Sequence, residues 1–278
     1  YCPWHSEWRG GGVSPISFQR ISALALRYLY LLRSSWIRVV ELAYWPTVQM
    51  ILWGFITQYL AGHSDVLNQA GGLLLAGVLL WDVLFRSQLG LSVVFFEELY
   101  SRNLGQLFIS PLQPIELILS LMLVSLARTL IGVGFAVALA MPFYDFNLFI
   151  LGPSLAGFFL NLLVMGWAMG LMVVALVLRY GMGAESIAWA AIFALAPLCG
   201  IYYPISTLPD WLQPVSWILP ASHVFEGMRA ILMEHSVRLD HLLYALLLNV
   251  IYLGLGISLF LAAVHQARER GTLLQSRE

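Results

Sequence analysis

The chain has 278 residues, of which 60% are apolar and 10% are charged, and its formal net charge is −1. Because a soluble domain carries about 25% charged residues, this composition excludes a water-soluble protein and predicts one integral membrane domain. All 14 basic residues are arginine, which excludes a P-loop and a Schiff-base enzyme, since both need a lysine. A nucleic-acid partner is not expected, because the sequence has no basic patch interleaved with aromatic residues.

The N-terminal region predicts a mobile tail followed by an amphipathic helix. Residues 1–13 form the predicted tail, and Ser14 and Pro15 fit the N-cap and first position of a helix over 14–38. Its basic and apolar residues fall on opposite faces, which is typical of an interfacial helix lying along the inner leaflet. The basic face comprises Arg20, Arg27 and Arg38, and the apolar stripe comprises Ile21, Ala25, Tyr28, Leu32 and Trp36.

Six apolar runs follow, each long enough to supply most of the roughly 20 residues that a membrane-spanning helix needs. The runs are continuous rather than alternating, which favours helices over a β-barrel. The sequence therefore predicts an all-α integral membrane protein with a six-span transmembrane domain over 39–264 and a cytoplasmic tail over 265–278. The predicted spans are 39–61, 71–95, 115–141, 148–178, 185–203 and 241–264.

The distribution of arginine predicts the orientation of these spans. Arginines precede the first span, lie in the second and fourth connections and follow the sixth span, whereas the first and third connections have none. Only Arg229 and Arg238 fall on the opposite side, which they share with four acidic residues. By the positive-inside rule, both termini are cytoplasmic and the protein is a multi-pass protein of the cell (inner) membrane. No cleavable signal peptide is expected, because the first apolar run starts late and follows several charges.

The connection between the second and third predicted spans is a polar stretch with helical periodicity. Its apolar residues recur on one stripe, which predicts a single amphipathic helix over Glu97–Ser110 on the cytoplasmic side. Such a helix either lies on lipid or presents its polar face to a soluble partner. The stripe consists of Tyr100, Leu104, Leu107 and Phe108, and the polar candidates for contact with a partner are Glu97, Glu98, Arg102 and Asn103.

Three charged residues fall within the predicted spans, where each costs about 2.5–3.5 kcal/mol to insert. Asp82 and Arg86 have the favourable i, i+4 spacing. Arg128 has no partner in its own helix, so Asp82 of the neighbouring span is its expected partner. The cluster is interpreted either as an ion-pair lock between helices or as part of a substrate pathway. A proton relay is not expected, because no series of carboxylates and histidines continues through the membrane.

The segment before the last span, 202–233, is apolar but interrupted by prolines. Broken helices at membrane depth are tolerated where they are buried in protein or line a cavity, so this segment predicts two short re-entrant helices on the outer side. The alternative is an interfacial hairpin that anchors tryptophans at the headgroups. The candidate residues of an outer gate are Trp211, Trp217, His223, Phe225, Glu226 and Arg229, of which Glu226 and Arg229 form an i, i+3 pair.

The order of these parts, with the stretch Leu-Pro…His…Phe-Glu-Gly-Met-Arg over 219–229, resembles the membrane subunit of type 2 ABC exporters. The resemblance implies a half-transporter, in which two permease subunits, expected to be a homodimer, form the pathway and two separate ATPase subunits use ATP. The polar helix would then be a coupling helix seated on the ATPase, and the re-entrant helices would form the outer gate. The chain itself is expected to bind no cofactor.

Two other classes of function remain as alternatives. An autonomous channel or secondary transporter calls for internal repeats or a chain of membrane charges, and the sequence has neither. An intramembrane enzyme needs a catalytic set, but no Gly-x-Ser-x-Gly motif or Ser/His/Asp arrangement is present. No metal site is expected, because Glu234–His235 and Asp240–His241 match no ligand spacing.

Overall fold

The computed structural model describes residues 16–61, 65–101, 103–109, 112–144, 148–181, 183 and 185–269. The predicted tail 1–13 and residues 270–278 lie outside the described residues. The described part of the chain forms ten α-helices and no β-strand. The helices are α1 (Phe18–Ser34), α2 (Trp36–Ala61), α3 (Asp65–Tyr100), α4 (Leu104–Ile109), α5 (Pro114–Tyr144), α6 (Ser154–Tyr180), α7 (Glu185–Leu198), α8 (Gln213–Trp217), α9 (Pro220–Glu234) and α10 (Leu239–Glu269).

Five of these helices are long and apolar enough to cross a membrane. Their candidate spans have 24 to 31 residues, and at 1.5 Å per residue each exceeds the roughly 30 Å hydrocarbon core of a bilayer. Helix length and composition therefore confirm an all-helical, multi-pass membrane protein. The candidate spans are Trp36–Tyr59, Gly71–Tyr100, Pro114–Tyr144, Ser154–Tyr180 and Leu239–Glu269.

The fifth predicted span, over 185–203, is helical for only part of its length. Helix α7 has 14 residues and ends at Leu198, so it measures about 21 Å. The N–H of Cys199 makes the last helical bond, to the Leu195 carbonyl, and the helix ends because Gly200 follows with a φ of +64°. This left-handed conformation is one that glycine adopts without strain, and it commonly closes a helix.

The helix predicted over 14–38 is two helices in the structure. Ser35 is extended, with φ −117° and ψ 103°, and separates α1 from α2. The preceding Ser34 hydroxyl donates to the Leu31 carbonyl, a local bond that competes with continuation of the helix. Four of the five predicted stripe residues are buried. Two of them, Ala25 and Tyr28, belong to a core cluster with residues of α3 and α5. Trp36, the fifth, belongs to α2 and is 73% exposed.

Glycines allow α3 and α6 to lie in close contact at the centre of the bundle. Gly166 faces Ser87, and one turn further on Gly170 faces Leu91. Because the numbers rise together on both helices, α3 and α6 run in the same direction. Small residues at such crossings let helix backbones approach closely in membrane proteins.

Helix α10 packs on the other side of α6 and also runs parallel to it. Gly157, near the start of α6, lies against Leu242, and Gly256 lies against the Ala168 backbone. Helix α5 runs the opposite way, since Gly90 lies against Ser125, one turn after Arg86 lies against Gly132. The chain between α6 and α10 must therefore return along the bundle, and α7 begins this return.

The bundle has two distinct ends. We call one the α1 end, where α1 and α4 pack beside the last turn of α3 and the first turns of α5. The other is the α9 end, where α8 and α9 form a cap against the early parts of α3, α6 and α10. The residues singled out from the sequence fall at these two ends and at one position between them.

The prediction of a single helix over Glu97–Ser110 is wrong. Helix α3 continues through Glu97 and Glu98 to Tyr100, and the backbone N–H groups of Ser101 and Asn103 bond back to the carbonyls of Glu97 and Glu98. A new six-residue helix, α4, begins at Leu104. Helical periodicity was correct on each side of this turn, but it could not reveal the break between Tyr100 and Leu104.

Candidate functional site

At the α1 end, Glu98 is turned into the protein instead of toward a partner. It is 3% exposed, and its Oε1 lies 2.9 Å from Nη2 of Arg27 on α1. Burial, and secondly the negative charge of Glu98, raise the pKa of the neighbouring Tyr28 well above its ordinary value. Tyr28 therefore stays neutral, and the Arg27–Glu98 ion pair joins the middle of α1 to the last turn of α3.

Glu97, on the adjacent position of α3, connects two further helices. Its Oε2 accepts a hydrogen bond from Nη1 of Arg38 on α2 at 3.2 Å, and its Oε1 lies 4.0 Å from Nη2 of Arg128 on α5. The predicted partner of Arg128, Asp82, forms its ion pair with Arg86. The expected Asp82–Arg128 contact is therefore wrong, because the Arg128 guanidinium extends toward Glu97.

A third carboxylate at this end, Glu116, was not singled out from the sequence. It is fully buried and accepts from the backbone N–H of Ser17 at 2.8 Å, from Nε of Arg20 at 3.0 Å and from the backbone N–H of Gln113 at 2.9 Å. The last bond is half of a capping box, in which a Glu at the third helical position returns to the N-cap. The spacing of Gln113, Pro114 and Glu116 was the available signal.

The polar residues of the turn after Tyr100 and of α4 are more exposed. Ser101 and Gln106 are exposed and Asn103 is half-buried, whereas Leu104 is 3% exposed and packs into the core. The predicted candidate Arg102 lies outside the described residues. The polar surface of the α3–α4 connection therefore consists of the turn after Tyr100 and one face of α4, while the two predicted glutamates brace this connection from within.

The Arg27–Glu98 pair yields a measurable prediction. Replacing Arg27 with glutamine is expected to lower the free energy of unfolding by about 2 kcal/mol, because the buried Glu98 carboxylate loses its charged partner. The Glu98→Gln change should recover part of this loss, and a double-mutant cycle in detergent measures the coupling. Arg33→Gln, on the exposed side of α1, is the matched control and should change stability by less than about 0.5 kcal/mol. Zero coupling energy would contradict the pairing.

Between the two ends, Asp82 and Arg86 form the ion pair that their spacing predicts. Nε of Arg86 lies 2.6 Å from Oδ2 of Asp82, and both side chains are buried. The guanidinium lies against Gly132 of α5, where an added Cβ would be 2.7 Å from Nε. The ion pair therefore lies within α3, with its guanidinium packed against α5.

At the α9 end, Arg229 and Glu226 hold the segment after α7 against α9. Nη2 of Arg229 donates to the carbonyls of Gly200 at 2.6 Å and Tyr203 at 2.9 Å. Oε1 of Glu226 accepts from the backbone N–H of Ile205 at 2.8 Å and lies 2.8 Å from Nη1 of Arg229. The predicted i, i+3 pair is confirmed, and its additional backbone bonds attach residues 200–205 to α9.

The other predicted gate residues occupy different environments. Phe225 is fully buried in the core, and Trp211 is 74% exposed. His223 is 8% exposed, and its ring lies between those of Trp217 and Tyr244 and beside that of His241. Burial is the main cause that lowers the pKa of His223, although its bond to the Trp217 carbonyl acts in the opposite direction. The candidates therefore do not form one surface: α9 is packed inside the bundle, and α8 lies at its edge.

These features define a multi-pass membrane protein with a charged network at one end and a helical cap at the other. Residues 27–233 match the family model of the ABC-2 type transporter, and the chain belongs to this family. The match runs from Arg27 through the end of the cap, so it includes both candidate sites. A comparison with curated proteins found no match. Family membership makes the chain a transport permease, a membrane component that is not itself catalytic.

Proposed function

We propose that the chain is the permease subunit of an ATP-driven exporter, with two copies forming the pathway and two separate ATPase subunits bound at the α1 ends. Membership of the ABC-2 type transporter family supports a transport role. The observation that carries the coupling is the α3–α4 connection, which exposes Ser101 and Gln106 while burying Leu104. Its polar side is free for a soluble partner, and its apolar side is fixed to the bundle.

Movement of this connection would be passed to the membrane helices through charged contacts. Glu98 ties the last turn of α3 to α1, and Glu97 ties it to α2 and α5. A displacement of α4 by the ATPase would therefore act on four helices at once. In this proposal the predicted coupling residues Glu97 and Glu98 transmit the movement to the membrane helices. Ser101, Asn103 and Gln106 make the direct contact with the ATPase.

The proposed topology has six crossings, with the α1 end and both termini on the cytoplasmic side of the inner membrane. Because α6 and α10 are parallel, the chain between them has to cross back once. Helix α7 covers about 21 Å of the bilayer thickness. The segment after it includes Ile201, whose carbonyl oxygen lies against Gly77 of α3. Arginine on the cytoplasmic side follows the positive-inside rule.

The α9 end would then be the outer gate, closed in the state described here. Helix α9 buries Val224, Phe225 and Met228 in the core, which favours a cap inside the bundle over a surface hairpin. Opening would separate this cap from α10 or from a second subunit. The exposed apolar faces of α2 and α10 provide surface for lipid and for the second copy of a homodimer.

A bulky substitution on the proposed contact surface tests this function. Ser101→Trp is expected to lower the ATPase activity of the complex with its partner ATPase by at least about tenfold, because the indole would occupy the contact surface. This is a loss of about 1.4 kcal/mol or more. Ser206→Trp is the matched control, since Ser206 is an exposed serine at the opposite end. Both variants should retain the unfolding temperature of the unmodified protein.

The outcome separates the proposed function from its alternatives. Unchanged binding and activity of the ATPase with Ser101→Trp would overturn the coupling surface. Transport by the purified chain in vesicles without any ATPase would instead support an autonomous channel or secondary transporter. A panel of lipids, glycans and drugs in the same vesicles would identify the substrate class.

A further inference from the structure

Two histidines face each other where the cap meets α10. His223 is on α9 and His241 is on the first turns of α10, and their Nδ1 atoms are 3.5 Å apart. His223 is 8% exposed and His241 is half-buried. His223 was predicted as a gate residue, but its contact with His241 was not expected, because 17 residues separate the two histidines in the sequence.

The hydrogen bond on the far side of His223 fixes the state of its ring. Nε2 lies 3.0 Å from the Trp217 carbonyl oxygen, and because a carbonyl only accepts, Nε2 carries the proton. In the neutral ring, Nδ1 then carries a lone pair directed toward His241. Histidines that bind metals commonly donate their other ring N–H to a backbone carbonyl in this way, which orients the ring and strengthens the ligand.

The separation of the two Nδ1 atoms suits a shared cation better than a direct hydrogen bond. Good hydrogen bonds from nitrogen have donor–acceptor distances of about 2.7–3.2 Å, shorter than the 3.5 Å observed here. Two imidazole nitrogens on a tetrahedral zinc ion, each about 2.0–2.1 Å from the metal, are roughly 3.3–3.4 Å apart. A movement of one or two tenths of an ångström would complete that geometry.

Aromatic rings hold both imidazoles in place. The Trp217 ring is nearly parallel to His241, with 12° between the planes and 6.0 Å between the centroids. The Tyr244 ring stacks on His223 at 28° and 5.7 Å. Because the rings are already oriented by packing and by the bond to the Trp217 carbonyl, binding a cation would require little reorganisation.

We propose that His223 and His241 form a two-histidine site for a divalent transition-metal cation, which bridges α9 and α10 through the two Nδ1 atoms. Water completes the coordination, since within the described ranges no three His, Cys, Asp or Glu side chains come together. With two protein ligands the site has modest affinity, and the usual order of stability places Cu²⁺ above Ni²⁺ and Zn²⁺. The bound cation joins the cap to α10 and opposes their separation.

Copper titration of the purified full chain in detergent tests this site. The background is Cys2→Ser, His5→Gln and His63→Gln, which removes three other potential ligands. One Cu²⁺ per chain is expected, with two nitrogen ligands in its electron paramagnetic resonance spectrum and quenching of tryptophan fluorescence. Trp217→Phe should remove much of the quenching, because Trp217 contacts both imidazoles.

Single substitutions decide the result. His223→Gln and His241→Gln are each expected to weaken binding at least about tenfold, whereas His235→Gln, an exposed histidine at the same end, should leave it unchanged. If His223→Gln does not fold, the half-buried His241→Gln alone decides. Equal affinity in the background and in His241→Gln would overturn the site, as would the absence of bound copper. This measurement needs no ATPase or transport substrate, so its failure is distinguishable from failure of the proposed function.

Discussion

Replacing Arg229 with methionine is expected to lower the free energy of unfolding by about 3–5 kcal/mol, since it breaks a buried ion pair. The Arg229 side chain is 9% exposed and donates to the carbonyls of Gly200 and Tyr203. Its loss leaves the Glu226 carboxylate with the Ile205 N–H and no cation among the described ion pairs. Thermal or denaturant unfolding in detergent measures the change.

The buried thiol of Cys199, beside the Arg229 contacts, reports how Arg229→Met changes the local structure. Cys199 precedes Gly200 and is fully buried, so its alkylation should be slow in a Cys2→Ser background. In Arg229→Met the alkylation rate should rise at least about tenfold. This corresponds to a change of about 1.4 kcal/mol in the free energy of local opening. The control is Arg238→Met, which breaks the exposed Arg238–Glu234 pair and should cost at most about 0.5 kcal/mol. Equal stability losses in the two variants would contradict a stabilising role of the Arg229 contacts.

Replacing Gly166 with valine is expected to cost about 3 kcal/mol or to prevent folding, because it overpacks the contact between α3 and α6. A Cβ at this position would overlap the Ser87 hydroxyl and lie 2.9 Å from the Leu84 carbonyl oxygen. The Ser87 hydroxyl can rotate, but the Leu84 backbone cannot move without separating the helices. The yield of folded protein on size-exclusion chromatography and the unfolding temperature measure the effect.

Gly134 provides the matched control for this substitution. It lies inside α5, and no heavy atom is within 4 Å of the position that its Cβ would take. Gly134→Val should therefore change stability by less than about 0.5 kcal/mol. Adding Ser87→Gly to Gly166→Val should recover only part of the loss, because the Leu84 carbonyl remains. Full stability of Gly166→Val alone would show that α3 and α6 are not in close contact.

Local patterns in the sequence predicted the features that depend on neighbouring residues in one helix. The Asp82–Arg86 and Glu226–Arg229 pairs are both present because i, i+4 and i, i+3 spacing places the side chains on one face. Apolar run length likewise predicted the five long helices. These predictions need no knowledge of how one helix lies against another.

Contacts between helices could not be predicted in the same way. Arg128 was expected to pair with Asp82, yet its side chain extends along α5 toward Glu97. Glu98 carried the polar signature of a partner surface, but its pairing with Arg27 depends on α1 folding back over the bundle. Helical periodicity predicts the helix face on which a residue lies. The packing between helices decides which side chains that face contacts.

The contact between Gly166 and Ser87 lies nearly midway between two other contacts of α3, so the parts of the helix that lead to these contacts form two arms of nearly equal length. Glu98, bound to α1, is 11 residues beyond Ser87, and Gly77, against the Ile201 carbonyl, is 10 residues before it. At 1.5 Å per residue the arms measure about 16 Å and 15 Å. A rotation of α3 by about 5° around this fulcrum would shift its two ends by about 1.4 Å in opposite directions. A rigid-body rotation of α3 would therefore convert a displacement at the charged network into a displacement of similar size and opposite direction beneath the cap.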